Sequence, residues 1–546
     1  MRNKRQLVVV TLALLGILGS SACSTARTAT RDTLVLAYGT EPTLLDGART
    51  ADVSSSRVGA QIFETLVRHE PGGLGLEPGL ARSWRPSDDA ATWTFALQHD
   101  VRFHDGTAFD AAAVCANFDR WYHSTGVLQT APLSPSWRRT FEGFAQKDVS
   151  DVPEASLFRS CEATAPDEAV VRLAKPLPLL PTALTGWGFS IASPDALVRY
   201  EADKVDAGPP PKFQGTFGTE HPVGTGPFRF ESWVRGDRLV LVRNDDYWGD
   251  KAKLRRLIFR AIADGATRRQ ALEAGEIDQF EPVDPADAAA LEAGGAQILE
   301  RRAMNVAFLG FNQAIEPFSN PKVRQAIAHA INRQAVVEAK FPEGTLLARQ
   351  LQPPEVWGGA DDVATYDYDP ELARRLLAES GVADPTIEFW YPTNIAVPDN
   401  PDPQGTFEAY QADLERIGFT VVAHPAPSQP DYSQGVAAGK AGMFFGARYG
   451  DDDPDYFFGP AFRQRPLSFG FDDPELFALV SRARYEPDHD RRVQLYQDIN
   501  RRLMASLPAV PLVHVRPQLV VAAGVKGYVP GPIGPSESLA GVTVES

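Results

Sequence analysis

The sequence predicts a mixed α/β fold assembled from more than one structural unit. Three observations carry that expectation. The chain has 546 residues, 43% of them apolar and 10% aromatic, which is more material than one hydrophobic core usually organises. Short runs with two-residue alternation predict strands, and stripes at three- and four-residue spacing predict helices. The two kinds of signal are interleaved along the chain, and no repeating unit joins them.

The first element is a leader. Arg2, Lys4 and Arg5 precede an apolar stretch from Leu7 to Leu18, and small residues then run into Cys23. This is the pattern of an export signal over residues 1–22. The Ser21-Ala22-Cys23 ending is similar to a bacterial lipobox, with Ser20 where such motifs usually hold Leu, so lipidation at Cys23 is expected and plain secretion is the alternative. Residues 23–31 are small and polar and read as a tether. Removing the leader takes away three basic and no acidic residues and shifts the formal charge from −16 to −19. Export places the other two cysteines, Cys115 and Cys161, in an oxidising compartment, where a disulfide between them is the default and two buried free thiols are the alternative.

Further along, Ser54, Ser55 and Ser56 sit at the start of an expected helix, where capping is the expected role of the hydroxyls and contact with a ligand the alternative. Thr92 to Leu97 alternates, with Trp93, Phe95 and Leu97 on one face, and reads as a strand, as does Leu239 to Arg243. The HPVGTGPFRF segment reads as a loop. Its GTGPF core lacks the third glycine and the flanking strand and helix of a dinucleotide fingerprint. Asn320-Pro321 starts a helix striped by Val323, Ile327 and Ile331. Asp369-Pro370 starts another, which Gly381 ends. A third helix is expected from about Asp490 to Ser506, stopped by Leu507-Pro508, and Val510 to Val515 reads as a buried strand.

Composition excludes several functions. The 70 acidic against 54 basic side chains argue against nucleic-acid binding, and no apolar run is long enough to span a membrane. The nine histidines contain no i, i+4 pair, and the sequence has no GxSxG elbow and no P-loop. No catalytic set, cofactor or metal site is expected. Paired carboxylates of a glycosidase remain an open alternative, because they need only proximity in space.

Six phrases in order point to one family. They are LEPGLARSWRPSDDAATWTFALQHDVRFHDGTAF from Leu76 to Phe109; GTGPF from Gly224 with NDDYW from Asn244; Arg268 with ALEAGEID from Ala271; LGFNQAIEPFSNPKVRQAIAHAINR from Leu309; YDPELARRLLAESG from Tyr368; and YQDINRRLMASLPAVPL from Tyr496. Together they resemble the family 5 extracellular solute-binding proteins of ABC importers, the dipeptide, oligopeptide and nickel-binding group. The resemblance implies a two-lobed periplasmic-binding-protein-like fold, type II and cluster C-like, with an extra inserted subdomain. One lobe would comprise residues 32–66, 188–302 and 515–546, the insertion 67–187, and the other lobe 303–514. It implies a monomeric lipoprotein on the outer face of the cell membrane that closes over a solute, most simply a peptide, and delivers it to permease and ATPase subunits. Oligosaccharide, nickel chelate, haem or a specialised metabolite are the other ligands to weigh, and solute sensing is the other role.

The resemblance also suggests where the solute sits. In peptide-binding members an aspartate near a D-x-x-x-D-P-D phrase pairs with the ligand's α-amine, and this chain has YGDDDPDYFFGPAF from Tyr449. Asp451 matches best, but the spacing is one residue short, so Asp452 and Asp453 are candidates too; a solvated turn or a metal-binding loop is the alternative. Arg448 would offset that charge or meet a ligand carboxylate through a bidentate fork. Thr40, Glu41 and Pro42 would form the tip of a first-lobe loop at the cleft. Trp187, Trp390, Tyr391 and Phe445 are candidates for the pocket wall, with core packing as the plainer role. Asn312 would order the backbone between the lobes. His104 and Asp105 are expected to be buried and structural.

Overall fold

The computed structural model describes residues 30–395, 397, 399–533 and 537–545; the leader, Cys23 and most of the tether lie outside them. Three sheets organise the chain. A seven-stranded mixed sheet runs in the order Phe228–Val234, Arg238–Arg243, Arg256–Ala261, Thr33–Tyr38, Gln279–Glu281, Gln518–Val521, Gln297–Glu300. A six-stranded sheet runs Leu346–Leu347, Ala509–His514, Asn305–Phe311, Met443–Tyr449, Thr386–Thr393, Thr420–Pro427. A four-stranded antiparallel sheet is built from Ala81–Pro86, Thr92–Leu97, Glu168–Leu173 and Phe158–Ala165. We call the bodies around these sheets the first lobe, the second lobe and the inserted unit. The result is the two-lobed α/β architecture.

Local chemistry explains the elements. Trp93, Phe95 and Leu97 are buried while the residues between them are half-exposed, as a one-sided strand requires. Asn320, Asp369 and Asp488 each accept a backbone N–H of the helix they open, Pro321–Ala330, Pro370–Glu379 and His489–Ser506. In the first two, proline at the first turn removes a donor that had no partner anyway. Cys115, on helix Ala111–Tyr122, is disulfide-bonded to Cys161 on strand Phe158–Ala165, with Cα atoms 5.1 Å apart.

The GTGPF and NDDYW phrases are structural and converge on one half-buried carboxylate. Glu64 accepts from Thr225 Oγ1 at 2.8 Å, Tyr247 Oη at 2.7 Å and Trp248 Nε1 at 2.8 Å. A Cβ on Gly224 would lie 2.2 Å from the Ile62 carbonyl oxygen, so this turn can pack there only as glycine. His104 Nε2 bonds the Gly226 carbonyl at 2.9 Å, and burial lowers its pKa to about 4. Asp105 differs from expectation. It is exposed, although it accepts hydrogen bonds from Ser193 and Thr107 that hold the turn.

The chain passes between the lobes twice, after Gln297–Glu300 and before Gln518–Val521. Asn305 ties the two passages together: its Nδ2 donates to the Val515 carbonyl at 2.7 Å, and its Oδ1 accepts the Val515 N–H at 2.9 Å. Asn312, expected to do this, sits just past the far end of strand Asn305–Phe311 and instead joins two second-lobe loops through the carbonyls of Gly439 and Leu467.

Candidate functional site

The acidic segment lies where the second lobe meets the inserted unit. Asp451 is buried, and its Oδ1 is 3.0 Å from His69 Nε2, at the end of hairpin strand Val67–His69. Thr185 Oγ1 approaches Asp451 Oδ2 at 3.4 Å. His69 Nδ1 faces the Leu74 carbonyl at 3.1 Å, so both ring nitrogens address oxygen acceptors and the imidazolium is favoured. Burial opposes that charge, but the hydrogen bond and charge of Asp451 outweigh it and raise the His69 pKa.

The neighbouring carboxylates differ in kind. Asp452 Oδ1 is buried without a hydrogen-bond partner among the described residues. Burial, then the charges of Asp451 and Asp453, push its pKa up to about 7, so it holds a proton close to neutrality. Asp453 is fully committed: Arg492 Nη1 and Nη2 reach its two oxygens at 2.5 and 2.9 Å, and the Asp455 N–H donates to Oδ1 at 2.9 Å. Asp455 pairs with Arg484, whose Nη2 also donates to the carbonyls of Arg139 and Thr140 in the inserted unit at 3.0 and 2.8 Å. Nearby, Glu142 of the inserted unit accepts from Arg463 and Tyr485, each at 3.1 Å. The Arg463–Glu142 ion pair and the hydrogen bonds of Arg484 and Tyr485 fasten the second lobe to the inserted unit beside the acidic segment.

A cavity of about 180 Å³ opens in the second lobe against strand Met443–Tyr449. Phe308, Asp399, Tyr410, Tyr432 and Phe445 are among its lining residues. Burial raises the Asp399 carboxyl to about 6, and the Tyr449 hydroxyl donates to it. Tyr432 Oη donates to the Phe445 carbonyl at 2.6 Å. The wall is therefore apolar with a few fixed polar groups, the usual make-up of a small-molecule site. Arg448 lies on the same strand, opposite Val306. Its guanidinium carbon is 5.9 Å from the Phe308 ring and 6.0 Å from the Phe462 ring.

The remaining candidates scatter. Trp390 stacks on His424 at 3.7 Å and donates its indole N–H to Glu388. Tyr391 stacks on Phe407 at 4.4 Å. Trp187 meets Phe63 edge-on at 5.8 Å and packs on the first-lobe core. Glu41 accepts from Trp233 Nε1 and the Gly236 N–H, Thr40 shares a hydrogen bond with Ser54, and the Pro42 carbonyl accepts from Arg235. The hollow beside these three measures only about 10 Å³. The structure thus gathers Asp451, Asp452 and Asp453 in one segment, with Arg448 and Phe445 on the strand that leads into it. His69, Thr185, Asp399 and Tyr449 were not foreseen; isolated residues of these types carry no spacing signal, and only the fold brings His69 to Asp451.

Comparison with known proteins places this geometry. Residues 75–468 match the model described as bacterial extracellular solute-binding proteins, family 5 middle. Heme-binding protein A of Haemophilus influenzae is 29% identical over 546 residues, covering 96% of this chain and 95% of the relative. The dipeptide-binding protein of Escherichia coli is 29% identical over 519 residues, covering 91% of each. Among solved structures, HbpA2 from Haemophilus parasuis superposes with a TM-score of 0.78 at 27% identity, over 94% of this chain and all of that one.

Proposed function

Because the chain belongs to the bacterial extracellular solute-binding proteins of family 5, and so is a binding protein of an ABC importer rather than an enzyme, we propose that its solute is a peptide held between the two lobes. The observation that carries this reading is Asp451, a carboxylate buried where the second lobe meets the inserted unit and facing a single cationic partner, His69. A peptide α-ammonium is a cation of the kind that site accepts, and it competes with the imidazolium for the same oxygen. Asp452, protonated near neutrality, donates a hydrogen bond to a peptide carbonyl instead of repelling it. The cavity behind Phe445 receives a side chain. Asp453 supports the segment from below through Arg492 and does not touch the solute. The similarity to a dipeptide-binding protein over 91% of both chains supports the same class.

Delivery follows from closure. A solute that touches both lobes favours the closed form by its differential affinity for it, and the closed form is what a permease recognises. The leader and Cys23 give the protein its lipid anchor, and it acts as a monomer beside permease and ATPase subunits. Native mass spectrometry of the purified protein tests the solute class. Short peptides released from the complex support the reading, and haem, a sugar or a metal chelate as the bound species overturns it.

A further inference from the structure

Asp399 differs from the carboxylates of the acidic segment. Asp451 meets His69, Asp453 meets Arg492 and Asp455 meets Arg484. Asp399 is as buried as Asp451, each being 7% exposed. Among the described residues, however, Asp399 forms no ion pair, and the Tyr449 hydroxyl is the one side-chain group that donates to it. A phenol brings a hydrogen bond but no charge. Burial raises the Asp399 carboxyl to about 6 with no cation to oppose the shift, and at that value the group is still mostly ionised at neutral pH.

The surroundings of Asp399 say what would complete it. It lines the 180 Å³ cavity together with Phe341, Tyr410 and Phe445, three aromatic residues that pack in one apolar cluster of the second lobe. An ionised carboxylate in a largely apolar wall is costly to hold without a counter-charge. Aromatic faces beside it favour a cation as well. A carboxylate and several rings around one space are therefore the complement of an ammonium or a guanidinium. The geometry points to Asp399 as a cation subsite, so that the solute places a basic group in the cavity. This rests on the peptide reading only for the carrier of that group, which would be a lysine or arginine side chain, with the α-ammonium left to Asp451.

The test is a calorimetric titration of wild type and Asp399→Asn with the dipeptides Ala-Arg and Arg-Ala, and with the same dipeptides carrying citrulline, the uncharged isostere of arginine. Wild type should bind at least one arginine dipeptide at least tenfold more tightly than its citrulline counterpart, a difference of about 1.4 kcal/mol, and Asp399→Asn should bind that pair alike. Equal binding of both pairs by wild type, or a preference that survives in Asp399→Asn, overturns the subsite. If no dipeptide binds, the peptide reading falls by itself. The subsite then stands if the solute found by native mass spectrometry carries a cationic group and binds Asp399→Asn at least tenfold more weakly, and falls otherwise. Thermal melting of the solute-free proteins at neutral pH checks the same claim without any ligand. Asp399→Asn should melt no lower than wild type, because it removes a charge that has no counter-ion in the fold. A lower Tm would tie the carboxylate to the fold and overturn the subsite.

Discussion

The acidic segment and the strand that leads into it use charge in opposite ways. Asp453 and Asp455 are the most buried of the acids there, and each is paired with a buried arginine. Arg448, only a few residues earlier, has aromatic neighbours and no acid. Asp451 stands between these cases, paired with a histidine that a solute can displace. A dense cluster of charge in a sequence is therefore not by itself the binding surface. In this molecule its inner members hold the fold, and the proposed solute site falls to Asp451, the member with the weaker partner.

Breaking the structural half should have the largest effect. Asp453→Ala strands Arg492 in the interior and should cost about 3–5 kcal/mol of stability, read from the midpoint of a urea denaturation curve. A loss below about 1 kcal/mol would mean that the pair is not a structural support. Asp451→Ala acts on the boundary between the halves. It should weaken dipeptide binding at least tenfold, about 1.4 kcal/mol, and unchanged affinity would remove Asp451 from the solute's surroundings.

The smallest effect is a pH dependence. Asp452, ordinarily near 3.8 and raised to about 7, faces Asp451, Asp453, His69 and Thr182. In the folded protein it keeps its proton across the window in which the unfolded chain has lost it. Its contribution is complete below about pH 4 and is lost as pH rises through about 7. The raised His69 acts in the same direction at its own folded value. His104 and His514, both lowered to about 4, act in the opposite sense between about pH 4 and 6.5. The Asp452 contribution is therefore isolated as the difference between wild type and Asp452→Asn. That difference should grow in favour of the variant between pH 5 and 8, by on the order of 1 kcal/mol; a flat difference would show that Asp452 is not held protonated.

Much of the fold was legible because its signals are local. Proline after a capping Asn or Asp marked the starts at 321 and 370, and the alternation at 92–97 announced its buried face. The order of six phrases identified the two-lobed architecture, and the export context suggested the Cys115–Cys161 bridge. The site was legible only in part. The acidic phrase singled out the segment proposed here as the site, but it could not say which carboxylate already had a partner, because Arg492 and His69 come from distant parts of the chain. Two of the aromatic candidates were illegible for a related reason: Trp390 and Tyr391 have the same composition signal as a pocket wall, yet they stack on His424 and Phe407. Asn305 was missed in favour of Asn312 because both lie near the same passage, and only the pairing with Val515 separates them.

The most direct test sets the two uses of charge side by side, as dissociation constants of one dipeptide for Asp451→Asn and Asp453→Asn, measured well below the melting temperature of each variant. The account predicts that Asp451→Asn loses at least tenfold in affinity while Asp453→Asn, though less stable, binds as wild type does. Normal binding by Asp451→Asn together with weakened binding by Asp453→Asn would contradict it.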